Sequence, residues 1–148
     1  MSLSDWDNVL NSNVRSFFML TQTLLPYLRR SNAASVVNIS FIIGKVGNIG
    51  QSNYAASKGA ILALTKSWSK EFNRKEHKVR VNSISPGFIA TGMLDSVPDK
   101  FIQKVVERTP LSRLGSVDEV AKLVSFLVSD DASYINGTDI SIDGGLVW

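Results

Sequence analysis

Apolar residues recur at helical spacing from Ser4 to about Arg29, where Val9, Leu10, Val14, Phe17, Phe18, Leu20 and Leu24 fall mostly three or four apart. That period predicts an amphipathic helix. Ser4 and Asp7 form a capping-box-like start, and Pro26 predicts a kink or a new turn near its end. The pattern then changes. Ser35-Val36-Val37-Asn38-Ile39-Ser40 is a β-branched run of the kind presented by a strand buried on both faces. A loop punctuated by Gly44, Gly47 and Gly50 follows, and helical spacing returns from Asn53 to about Phe72. Small residues Ala55, Ala56, Gly59 and Ala60 line its first turns, so another backbone or a ligand can approach closely. Val79-Arg80-Val81-Asn82-Ser83-Ile84 predicts a second strand, stopped by Pro86-Gly87.

A shorter helix is expected near Asp99 to Glu107. Ser116 caps another through about Val128, with Val117, Val120, Ala121, Val124 and Leu127 on its apolar side. Ile140-Ser141-Ile142 reads as the last strand. Strands alternating with helices of this length predict parallel pairing through right-handed crossovers, hence an α/β layered fold. Three parallel strands make a thin sheet whose first member exposes an unpaired apolar edge. The expectation is therefore a partial domain over residues 1–148: either further strands are missing, or another chain covers that edge.

Composition narrows the functional classes. The chain has 148 residues, 44% hydrophobic and 20% charged, which suits one globular domain. It has no cysteine, which excludes thiol catalysis, disulfides and thiolate metal sites. A net charge of +3, from 16 basic and 13 acidic residues, is too small a surplus to argue nucleic-acid binding. The densest basic stretch, Arg74-Lys75-Glu76-His77-Lys78, is interrupted by an acid and reads as a solvated connection, with His77 in that turn. A lone histidine supports neither a metal site nor a Ser-His-Asp relay. Arg29, Arg30, Arg74 and Lys75 offer a docking surface for an acidic carrier, or simply a solvated face. The longest apolar stretches fall far short of the roughly 20 residues that span a bilayer, and no basic-then-apolar leader opens the sequence, so the chain is expected to be intracellular.

Tyr54-Ala55-Ala56-Ser57-Lys58 is the most informative local feature, because i,i+4 spacing puts a phenol and an ammonium on one helix face. A cation there stabilises phenolate and makes the group a proton donor and acceptor for carbonyl and alcohol chemistry. Taken together, Asn38-Ile39-Ser40, the loop from Gly44 to Asn53, the Tyr54–Lys58 pair, the run from Val79 to Thr91 and Gly137 with Asp143-Gly144-Gly145 resemble the short-chain dehydrogenase/reductases in order and spacing, over nearly the whole chain.

The resemblance implies the C-terminal part of a Rossmann-like doubly wound parallel sheet and an oxidoreductase using NAD or NADP. A 3-oxoacyl thioester or a hydroxysteroid is the implied substrate class, and a homo- or hetero-oligomer, a tetramer in the family, the implied assembly. It implies roles as well. Tyr54 passes a proton to the substrate oxygen. Lys58 holds the nicotinamide ribose and depresses the tyrosine pKa. Asn13, seven residues after Trp6, holds a water linking Lys58 to solvent. Pro86, Gly87, Ile89 and Thr91 wrap the nicotinamide end, with the Ile89 backbone at the carboxamide and the Thr91 hydroxyl beside it or at a phosphate. The mitochondrial matrix is the implied compartment, with the cytoplasm as the alternative.

Two departures bear on activity. The family places a serine thirteen residues before the tyrosine, as a hydrogen-bond donor to the substrate carbonyl; here that position is Phe41. Ser40 is adjacent, but strand alternation turns it to the opposite face. The second departure is that no Gly-x-x-x-Gly-x-Gly turn stands in the sequence to cradle pyrophosphate. The alternative reading is accordingly a catalytically impaired fragment or a non-catalytic subunit that keeps the oligomer interface. Substrate choice is expected to lie in the loop from Gly92 to Pro110, where Met93, Leu94, Val97, Phe101 and Ile102 suggest an apolar pocket or lid.

Overall fold

Three parallel strands, β1 (Ala34–Ile39), β2 (Val79–Pro86) and β3 (Asp139–Ile142), pair in the order β1-β2-β3 in the computed structural model, which describes residues 1–74 and 78–146. The helices are α1 (Leu3–Leu10), α2 (Ser16–Leu28), α3 (Ile43–Val46), α4 (Ser52–Glu71), α5 (Asp99–Arg108) and α6 (Val117–Val128). The register runs from Ala34 opposite Val79 to Ile39 opposite Ile84, and from Ser83 opposite Asp139 to Pro86 opposite Ile142. The expected α/β architecture with a three-stranded parallel sheet is the one observed.

The central strand explains the layering. Side chains alternate across it, so Val79 and Val81 meet α4 and α2 on one face while Ile84 meets α6 on the other. On the first face Trp68 stacks on Phe72 at 5.4 Å between ring centroids, and Phe17 lies against Trp68 at 5.2 Å. Burying each such side chain contributes about 1.5–3 kcal/mol. On the second face Leu127 and Ala132 close over Ile84. The buried amides of β1 and β2 are paired: Asn38 donates to Thr65 Oγ1 at 2.8 Å, and Asn82 donates to the Ile135 carbonyl at 2.9 Å. β1 is less covered than its β-branched sequence predicts, because it is an edge strand in which Ile39 is 45% exposed.

Three local expectations change. The first helix begins two residues earlier than expected, capped by Ser2 with Asp5 rather than by Ser4 with Asp7; both pairs have the Ser-x-x-Asp spacing, and the earlier one closes the box. The single helix expected from Ser4 to Arg29 is two helices joined through a π-helical stretch, Asn11–Arg15, with Pro26 accommodated in the last turn of α2. On α6 the apolar face is narrower than expected, since Val117 is 54% exposed and Ala121 is also exposed. The expectations for Lys75 and His77 lie outside the described residues.

The capping of α6 yields a pH prediction. Ser116 and Glu119 form a capping box, and Arg113 donates two hydrogen bonds to the Glu119 carboxylate. The Arg113 hydrogen bonds, followed by the Ser116 backbone N–H, lower the Glu119 pKa from 4.5 to about 2. A depressed carboxylate pKa contributes stability above the unfolded value and loses it as pH falls through the folded one, here between 4.5 and about 2. Glu119→Gln keeps the box geometry but removes the charge. Denaturant titrations are expected to show a small deficit at neutral pH that vanishes by about pH 2; a deficit constant across the window would contradict this assignment. The group is solvent-exposed, so the effect is small.

Candidate active site

The sequence after β1 keeps pairing with β2: Ser40 N–H donates to the Ile84 carbonyl and Ile42 N–H to the Pro86 carbonyl. Side chains therefore continue to alternate. Ser40 points toward α4, where its hydroxyl donates to the Lys58 carbonyl at 2.9 Å and is only 2% exposed. That bond holds its hydroxyl on the helix backbone, so it does not stand in for the family's serine.

Gly44 then brings α3 directly onto α4. A Cβ there would lie 2.7 Å from the Lys58 carbonyl carbon and 2.9 Å from Gly59 N, a contact only glycine permits. The small residues expected to allow close approach thus serve one backbone against another. Tyr54 and Lys58 lie one turn apart on the first half of α4, beside the C-terminal ends of the parallel strands, where open α/β sheets bind ligands. Lys58 Nζ donates to the Ile39 carbonyl at 3.2 Å and sits 5.7 Å from the centre of the Tyr54 ring. Burial pushes the Tyr54 phenol above its ordinary 10.0 and pulls the Lys58 ammonium below its ordinary 10.5. The expected depression of Tyr54 by the neighbouring cation is therefore absent here: Lys58 spends a hydrogen bond on Ile39, and desolvation sets both shifts.

Asn13 is held against this helix. Its amide donates to Ser57 Oγ at 3.1 Å, and Ser57 in turn donates to the Tyr54 carbonyl at 2.7 Å. The π-helical stretch carries Asn13, and such one-turn widenings often occur at functional sites. Ser57, fully buried between Asn13 and Tyr54, is a participant the sequence reading missed. Its place inside the Tyr-x-x-x-Lys spacing was the available signal.

Phe41 occupies the other side of Tyr54. Its ring meets Tyr54 edge-on at 6.0 Å and Phe88 edge-on at 5.8 Å, and Phe88 meets Phe101 at 5.8 Å. The four rings form one row. Behind it, a groove of about 520 Å³ is lined by Ile42, Ile43, Val46, Phe88, Phe101, Val105 and Leu146, with Lys104 and Arg108 among its walls. Tyr54 and Lys58 are not among its lining residues, although Tyr54 packs in the same apolar cluster. Of the residues expected to form a lid or pocket, Phe101 lines this groove. Met93 is 85% exposed, and Leu94, Val97 and Ile102 do not line it.

The Pro86-to-Thr91 segment is placed as follows. Pro86 ends β2 and its carbonyl accepts from Ile42. A Cβ on Gly87 would lie 2.9 Å from Asp143 Cα, so this glycine allows the ends of β2 and β3 to meet. Ile89 forms a parallel bridge to Gly115, whose hydrogen bonds run through the Phe88 carbonyl and the Ala90 N–H. In such a bridge the N–H and C=O of Ile89 itself point to the opposite side. Thr91 is exposed and precedes the short 3-10 turn Gly92–Leu94. Among the described residues, no cluster of histidine and acidic side chains is suited to a metal ion, and no helix is long and apolar enough to cross a membrane.

A parallel sheet with a Tyr–Lys helix beside its carboxyl edge defines an α/β protein of the dinucleotide-fold class. A family model described as "Enoyl-(Acyl carrier protein) reductase" matches residues 1–147. The chain belongs to the short-chain dehydrogenase/reductase family. It is 44% identical to the 3-oxoacyl-[acyl-carrier-protein] reductase FabG of Thermotoga maritima, over 99% of this chain and 59% of that protein. Against the human (3R)-3-hydroxyacyl-CoA dehydrogenase it is 45% identical over 99% of this chain and 56% of the relative. A shorter relative, estradiol 17-beta-dehydrogenase 8 of Callithrix jacchus, is 45% identical and matched over 98% of its own length. The crystal structure of a 3-oxoacyl-[acyl-carrier protein] reductase from Brucella melitensis superposes with a TM-score of 0.93 at 32% identity, covering 100% of this chain and 55% of that one. The chain thus spans somewhat more than half the length of most of these relatives.

Proposed function

We propose that this chain is part of an NAD(P)-dependent oxidoreductase interconverting a carbonyl and a secondary alcohol, and that it supplies the proton donor and the groups that hold the nicotinamide end. The observation that carries the reading is the Tyr54–Lys58 pair, half-buried beside the carboxyl edge of a parallel sheet and anchored through Ser57 to Asn13. The names of the relatives favour a 3-oxoacyl or 3-hydroxyacyl thioester over a steroid as substrate class.

The residues present fit a nicotinamide nucleotide. Lys58 commits one donor to Ile39 and has further N–H groups for ribose hydroxyls. Ile89 turns a paired backbone donor and acceptor away from its bridge, the complement of a primary carboxamide. A bound nicotinamide would supply or accept the hydride. The chain's own residues do the rest: Tyr54 gives its proton to the substrate oxygen in reduction and takes it back in oxidation, and Lys58 orients the ribose. No Gly-x-x-x-Gly-x-Gly turn stands in the sequence to hold pyrophosphate, so the proposed contacts are those at the nicotinamide end.

Phe41 favours a second reading, in which the same chain is catalytically impaired and acts through assembly with other subunits. Phe18, Met19, Leu20, Leu24 and Tyr27 on α2 are 44–65% exposed and would serve such contacts. Calorimetric titration with NADH and NADPH separates the two. The first reading expects binding that Lys58→Met weakens about tenfold or more, the scale of a hydrogen bond from a charged donor. A folded chain that binds neither nucleotide overturns it in favour of the second.

A further inference from the structure

We infer that Lys45 is a positioning residue for the Tyr54–Lys58 pair, bracing α3 against the sheet through an ion pair with Asp139. In the β2–β3 register Ser83 stands opposite Asp139 and Ser85 opposite Ser141, so alternation puts all four side chains on the face that carries Val79 and Val81. Asp139 is fixed there: its carboxylate accepts from Ser83 at 2.7 Å and from Ser85 at 2.9 Å, and its side chain is only 12% exposed. Lys45 Nζ answers this charge at 2.5 Å from Asp139 Oδ2 and donates to Ser141 Oγ at 2.7 Å. Among the described residues it is the only cation in an ion pair with Asp139. Leaving a carboxylate this buried without its cation is unfavourable, so the ammonium is held to one place on β3.

The brace matters because α3 cannot hold itself. It is a single turn with no side-chain cap, and one turn gains too few hydrogen bonds to offset the ordering of its backbone. Contacts from three consecutive stretches fix it instead. Ile42 and Ile43 pack in the apolar cluster that includes Tyr54. Gly44 lies so close to α4 that a Cβ there would be 2.8 Å from Lys58 Cβ. Lys45 supplies the third contact and ties the turn to β3 by a charge. Since these residues are adjacent in the chain, a displacement that frees Lys45 is passed within one turn to the surroundings of Tyr54 and the backbone beside Lys58. Lys45 thus acts on the pair through Ile43 and Gly44.

The inference rests on the role proposed for Tyr54 and Lys58, yet it can be read with no nucleotide present. The chain has three tyrosines, of which Tyr27 and Tyr134 are exposed. Ring labelling with ¹³C gives one signal for each in nuclear magnetic resonance, and Tyr54→Phe identifies the third by its loss. Phe41 edge-on at 6.0 Å and Lys58 Nζ at 5.7 Å make that signal sensitive to their arrangement. At neutral pH Lys45→Met is expected to shift the Tyr54 signal and leave the other two in place. Asp139→Asn cuts the same brace without stranding a charge and should produce the same shift, whereas Lys45→Arg should keep the wild-type position. Leu127→Val loosens the core on the other face of the sheet and should lower stability without moving the signal. An unmoved Tyr54 signal in Lys45→Met and Asp139→Asn, or an equal shift in Leu127→Val, overturns the inference. In a calorimetric titration with NADH, Lys45→Met should weaken binding about tenfold, the scale of one misplaced charged donor, and Lys45→Arg should not. Equal affinity of Lys45→Met and the wild-type chain overturns it as well. A wild-type chain that binds no NADH defeats the oxidoreductase reading instead, and the ring signals still decide the role of Lys45.

Discussion

Phe41→Ser is expected to raise NAD(P)H-dependent carbonyl reduction by about 10² to 10³, the contribution of one hydrogen-bond donor aimed at a developing oxyanion, or roughly 3 to 4 kcal/mol. Two effects add in the same direction. Serine supplies the hydroxyl that the present site lacks, because Ser40 is committed to the Lys58 carbonyl. Removing the ring also opens the row Tyr54–Phe41–Phe88, which now stands between the groove and the Tyr54–Lys58 pair. Phe41 is only half-buried, so the variant should fold, and rates are compared per folded molecule. Phe41→Ala distinguishes the two effects: it opens the row without supplying a donor and should recover only the part due to access.

Tyr54→Phe in the Phe41→Ser background is expected to lower that reduction by about 10² to 10⁴, the range for loss of a positioned proton donor. Burial holds the phenol protonated to a pH above its ordinary 10.0, so in the proposed role Tyr54 keeps a proton to donate throughout the neutral range. A raised phenol pKa means the donor form persists as pH rises, and the reduction rate should be flat near neutrality and fall only as the phenol ionises. The same burial lowers the Lys58 pKa below 10.5. The phenylalanine variant should lack the alkaline limb entirely, and a limb that persists would assign it to another group.

The elements with strong periodicity were legible in the sequence. α4, β2 and the Ser116 cap of α6 lie within about two residues of where hydrophobic spacing and capping chemistry place them. The N-terminal cap was ambiguous because Ser2–Asp5 and Ser4–Asp7 share one spacing, and only the observed geometry chooses. The π-helical stretch gave no sequence signal, since it is a change of hydrogen-bond register and not of composition. In the site, strand alternation was enough to turn Ser40 away. That Phe41 lands between Tyr54 and Phe88 depends on the pairing of β1 with β2, a contact across more than forty residues that no local pattern encodes.

The most direct measurement compares oxidation of NAD(P)H by a 3-oxoacyl thioester for Phe41→Ser and for the Phe41→Ser/Tyr54→Phe double variant, side by side at neutral pH. The account predicts turnover in the first and its loss in the second. Equal rates, or no turnover in either folded protein, would contradict the assignment of Tyr54 and Lys58 as a proton-donating, nucleotide-holding pair shut off by Phe41.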